Sequence, residues 1–129
     1  MAEQADFKLS KLSYVMLGVH DLTRAVAFYH DVLGLKVQFQ SAEFAFLEAG
    51  SVTPALSLPL AQAVGLQRQT LGGATELVFG VEDVQKAYDA LRARGVKFLR
   101  EPHNVTGAQR AANFEDFEGH SLSIIGPKP

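Results

Sequence analysis

The stretch Tyr14-Val-Met-Leu-Gly-Val-His-Asp-Leu22 recurs later in the chain as Glu76-Leu-Val-Phe-Gly-Val-Glu-Asp-Val84. Gly18 matches Gly80, Val19 matches Val81 and Asp21 matches Asp83. The match continues downstream: Ala25 meets Ala87, and after a short gap Gly34-Leu-Lys-Val37 meets Gly95-Val-Lys-Phe98. Self-similarity of this kind marks a duplicated structural unit.

Each copy reads alike in physical terms. It opens with an alternating apolar strand. Val15, Leu17 and Val19 share one face and Tyr14, Met16 and Gly18 the other. Leu77, Phe79 and Val81 oppose Glu76, Val78 and Gly80 in the same way. Asp21 and Asp83 are then suited to cap a helix, because a carboxylate there accepts from free amides of the first turn. Helices are predicted over Leu22–Leu33 and Val84–Arg94, from apolar residues at helical spacing, with Gly34 and Gly95 as left-handed stops. Three short strands follow in each copy: Lys36–Gln40, Glu43–Ala49 and Pro54–Leu58, then Lys97–Arg100, Arg110–Glu115 and Ser121–Ile125. Asp116-Phe-Glu-Gly119 is the turn before the last strand. Pro59–Ala74, polar with a Gly-Gly pair, reads as a linker. The expectation is one α+β domain over residues 1–129. It holds two tandem βαβββ modules, about 12–58 and 75–126, as a curled mixed sheet around a cavity with the helices outside.

The composition suits one globular domain. The chain has 129 residues, 47% hydrophobic and 20% charged, with a net charge of −2. That size supports one sizeable core. No basic excess points to nucleic acid, and no apolar run is long enough to span a membrane. Met1–Lys11 lacks the apolar centre of an export signal. Cysteine is absent, which excludes disulfides and thiolate chemistry and fits a cytoplasmic setting.

Val19-His-Asp-Leu22, Phe28-Tyr-His-Asp-Val-Leu-Gly-Leu35 and Asp116-Phe-Glu-Gly-His-Ser-Leu-Ser-Ile-Ile125 resemble motifs of the vicinal oxygen chelate superfamily. That group includes glyoxalase I, extradiol dioxygenases, fosfomycin-resistance transferases and bleomycin-resistance proteins. The resemblance runs from about Leu12 to Gly126. It implies a cavity that in many members holds a divalent metal through His, Glu or Gln on the first and last strand of each module. The corresponding positions are read as Tyr14, Ser57, Glu76 and Ser123. Of these only Glu76 is a good ligand, since serines bind poorly and a phenol with its usual pKa of about 10 rarely ionises. No cofactor is therefore expected, with a divalent metal as the alternative.

Fold and strand parity give an expected cavity lining of Tyr14, Met16, Ala55, Ser57, Glu76, Val78 and Ser123, and the resemblance to the superfamily's transferases adds Asn113. Apolar walls with a few polar groups suit a small-molecule pocket. Glu76 interrupts an apolar strand and is the candidate acid or base. His20 reads as a solvated residue, His30 as helix surface and His120 as a turn histidine bonding nearby backbone. His103, in a loop, is a candidate for the cavity mouth. Three functions stay open: a metal-independent binder of a small, largely apolar compound, a lyase, isomerase or dioxygenase-type enzyme, and a subunit or regulatory module whose cavity is vestigial. The enzyme would use Glu76 or ligands not identified. The resemblance also implies a homodimer.

Overall fold

A computed structural model describes residue 7 and residues 9–62 and 75–129. The first repeat contains β1 (Tyr14–Gly18), β2 (Lys36–Gln40), β3 (Phe44–Glu48) and β4 (Thr53–Ser57). The second contains β5 (Glu76–Gly80), β6 (Phe98–Asn104), β7 (Gln109–Glu115) and β8 (Ser121–Pro127). They form two four-stranded mixed sheets of matching order, β1-β4-β3-β2 and β5-β8-β7-β6. In each, the first and last strands pair in parallel while the remaining pairs are antiparallel.

Helix α1 starts at Leu22, and Asp21 caps it by accepting from Arg24 N at 3.0 Å. Helix α3 (Val84–Ala93) starts after Asp83, which accepts from Lys86 N at the same distance. Gly34 and Gly95 follow the two helices with φ of 82° and 94°, where a side chain would be strained. α1 is not one regular helix as expected. It is α-helical over Leu22–Val26 and then widens into a π-helical turn over Ala27–Val32, with Leu33 N donating to Phe28 O at 3.0 Å. Tyr29, in that turn, is completely buried.

Most strand ends differ from the sequence reading by one or two residues, and two regions differ more. β6 runs beyond Arg100, through Pro102. The proline is tolerated because β6 is an edge strand, where a missing N–H breaks no ladder. Residues 58–62, called α2 here, are helical where a linker begins in the sequence reading. The rest of that linker, 63–74, lies outside the described residues. Among the described residues no helix is long and apolar enough to cross a membrane.

α1 and α3 each lie against one face of their own sheet. Leu17, Val19, Leu47 and Leu56 from the first sheet join Phe114, Leu122 and Ile124 from the second in one shared core with Tyr29, Val84 and Leu91. Apolar burial at about 25 cal/mol per Å² therefore holds the repeats together as well as each repeat internally. The opposite face of each sheet is open. On it Tyr14 is 51% and Phe39 57% exposed, and Met16 and Val78 are also exposed.

Candidate functional site

The open face of the first sheet is aromatic. Met16, Ala55, Phe46 and Phe39 sit side by side across its four strands. The Tyr14 ring meets Phe46 edge-on at 5.2 Å between centroids, and Phe39 and Phe44 meet it at 6.0 and 6.3 Å. Such edge contacts are a preferred aromatic geometry. Ala55 is fully buried between its larger neighbours.

The open face of the second sheet is polar. Glu76 is in register with Ser121, Val78 with Ser123, and Ser123 with Asn113. Asn113 Nδ2 donates to Glu76 Oε2 at 3.1 Å, so the carboxylate reaches across β8 to β7. Arg100 is in register with Asn113, and His103 with Ala111. Sequence reasoning missed Arg100 because the ladder slips between Phe98 and Arg100, which reverses strand parity there. His103 does lie on this sheet, with Nδ1 2.8 Å from Glu101 O.

Register corrects one equivalence. Met16 pairs with Ala55 as Val78 pairs with Ser123, so the counterpart of Ser123 is Ala55, not Ser57. Ser57 pairs instead with Gly18, at the other end of β1 from Tyr14. Its Oγ accepts from Leu60 N at 3.1 Å, capping α2. α2 packs so tightly there that a Cβ on Gly18 would stand 3.0 Å from Ala61 N. Alternation from Tyr14 supplied the face but not the register. Ser57 and Ser123 are both buried. Glu76 is exposed within the chain and bonded to Asn113.

Among the described residues, no group of three or more His, Asp or Glu side chains is placed to share one ion. Ala55 offers no donor at all. Glu76 with a phenol and a buried hydroxyl does not match the imidazole and carboxylate sets that divalent metals prefer.

A second polar group lies at the junction of the repeats. Asp116 Oδ2 accepts from Tyr29 Oη at 2.7 Å and lies 2.7 Å from His120 Nδ1. Its Oδ1 accepts from His120 N and Glu118 N. Burial pushes the Asp116 carboxyl up, but the hydrogen bonds from His120 and Tyr29 outweigh it and hold the group below its ordinary range. The hydrogen bond to Asp116 raises His120, against the opposing effect of burial. Burial, followed by the Asp116 charge, keeps the Tyr29 phenol protonated. Glu118 accepts from His20 N at 2.9 and 2.7 Å and from Asp21 N at 3.2 Å, and lies 2.8 Å from His20 Nδ1. His20 is thus a clamp partner as well as a half-wet residue, and His120 bonds a carboxylate as well as backbone. His30 is on the helix surface as expected, with Nδ1 2.8 Å from Leu35 O. The motif around Asp116 therefore joins the repeats and does not form the open face.

A family model for the glyoxalase, bleomycin resistance protein and dioxygenase superfamily matches residues 11–124. The chain belongs to that superfamily. It is 33% identical over 123 residues to the uncharacterised protein YraH of Bacillus subtilis strain 168, covering 88% of this chain and 96% of that one. It is 32% identical over 122 residues to a probable lactoylglutathione lyase of Synechocystis, covering 88% and 93%. The fold matches TnmS3, an antibiotic-binding protein from Streptomyces sp. CB03234, with a TM-score of 0.74 at 19% identity, over 95% and 99% of the two chains.

Proposed function

We propose that the protein binds a small, largely apolar aromatic molecule between an aromatic wall and a polar wall, at a metal position that has degraded. The carrying observation is the Tyr14–Phe39–Phe44–Phe46 cluster on a sheet face turned away from the core, with Tyr14 and Phe39 exposed and Phe44 and Phe46 half-buried. Exposed aromatic groups beside a few polar groups are what a planar ligand needs for stacking and orientation. The antibiotic-binding activity printed for TnmS3 supports a binder on this fold.

The cavity would be completed in a homodimer. β1 and β5 are both edge strands with free hydrogen-bonding sides. A twofold pairing of β1 with β5 of a second copy would join the aromatic face of one chain to the polar face of the other. Glu76, Asn113 and Arg100 would then orient the ligand's polar groups.

The second reading is an enzyme, favoured by the likeness to a probable lactoylglutathione lyase. It would use Glu76 as acid or base, or a metal held by groups outside those named. Metal analysis of the purified protein, with titration by a planar aromatic fluorophore, tests the proposal. Metal-free protein should bind the probe, and Phe46→Ala should weaken binding at least tenfold. Stoichiometric, tightly held metal, or unchanged affinity in Phe46→Ala, would overturn it. Glu76→Gln should leave probe affinity within about threefold in a binder and abolish turnover in the enzyme.

A further inference from the structure

We infer that the N-terminal arm of each chain docks into an apolar cleft on a second copy. This rests on the dimer reading above and assigns it a contact. The arm, residues 7–13, precedes β1 and lies outside any helix or strand among its described residues. It carries large apolar groups on no core: Phe7 is 74% exposed and Leu9 90%, and Leu12 is exposed as well. Its backbone tie to the rest of the fold is the Ser13 carbonyl, which accepts from Thr53 N at 3.2 Å.

The same chain carries a cleft that suits these side chains. It has a volume of about 330 Å³ and lies where the repeats meet, lined by Leu33, Leu35, Phe79, Val81, Ala87 and Ala90. The Arg94 guanidinium at its edge is engaged, donating to Val32 O at 2.8 Å, so the lining offered to a visitor is apolar. The cleft lies at the C-terminal end of β5, beside Gly80.

Three observations select a second copy as the occupant. The arm leaves its own cleft empty, since Phe7 and Leu9 are exposed while the cleft is open. The arm leads directly into β1, an edge strand, and the cleft ends β5, the edge strand of the other sheet. If β1 pairs antiparallel with β5 of a second copy, the residues before Tyr14 run along that strand toward its Gly80 end and the cleft. Strand addition at an open edge, with side chains in pockets, is a known mode of association.

The absence of native cysteine makes a direct test simple. Chains carrying Leu9→Cys and Ala90→Cys are co-expressed, and a short thiol cross-linker is applied to the purified protein. Both positions are exposed, so folding should be unaffected. A covalent heterodimer is expected. In addition, Leu9→Asp should raise the dimer dissociation constant at least tenfold in sedimentation. A dimer by sedimentation that yields no link between position 9 of one chain and position 90 of the other would overturn the arm assignment and leave the dimer reading intact. A monomer would overturn both. A link formed within a single chain carrying both substitutions, in a monomer, would seat the arm in its own cleft and also overturn the inference.

Discussion

Tyr29 Oη donates to Asp116 Oδ2 at 2.7 Å, so a buried residue in the π-helical turn of the first repeat holds the turn before the last strand of the second. The Arg24 guanidinium over the Phe117 ring, at 4.2 Å from its centre, supports the same junction. Hydrogen bonds to charged groups contribute about 1.5–3 kcal/mol. Tyr29→Phe should therefore destabilise the protein by about that amount in urea unfolding, with the loss appearing as a lower midpoint. An unchanged midpoint would mean that the junction does not depend on this bond.

The same cluster gives stability a pH signature. The Asp116 carboxyl is held below its ordinary 3.8, so its contribution is present above that value and is lost as pH falls through the lower folded pKa. His120 is raised above 6.5, so its contribution is complete below 6.5 and is lost as pH rises through the higher folded pKa. The pair therefore stabilises most between those two ordinary values. Melting temperature should decline on the alkaline side, and His120→Gln should flatten that decline while lowering the maximum. A variant with the same alkaline slope as the parent would refute the assignment to His120.

Ser57 separates a structural role from a ligand-binding one. As the cap of α2, its loss in Ser57→Ala should cost about 0.5–2 kcal/mol, read by thermal or urea unfolding. Affinity for an aromatic probe should stay within about twofold. A large loss of affinity at unchanged stability would return Ser57 to the cavity wall.

Two glycines should respond very differently. A Cβ on Gly126 would collide with the Val81 carbonyl oxygen and crowd Val84 Cγ2 at 3.2 Å. Gly126→Ala should cost about 1–3 kcal/mol or more through overpacking. Gly80 has open space where its side chain would stand. Gly80→Ala should change stability by about 0.5 kcal/mol or less. Equal costs at both positions would show that backbone freedom, not space, sets the need for glycine.

Much of the fold was legible because the chain states it twice. Asp21 and Asp83 cap helices, Gly34 and Gly95 end them, and the strands recur in one order. The site was less legible because alternation gives a side chain's face but not its partner. Ser57 has the parity of Ala55, yet only strand pairing reveals that it sits beside Gly18 and serves α2. Arg100 was hidden by a slipped ladder that local pattern does not encode. The Tyr29–Asp116 bond joins residues whose proximity depends on how the repeats pack, which is a property of the whole core.

The clamp at Glu118 divides tolerance to mutation unevenly between its two ends. On one side most of the partners are the backbone amides of residues 20 and 21, which any residue except proline supplies, with the His20 imidazole adding one contact at 2.8 Å. On the other side a carboxylate of that reach accepts from both amides more strongly than a neutral side chain would. A library randomised at positions 20 and 118 and selected for folding should favour glutamate at 118, while position 20 accepts many residues but excludes proline.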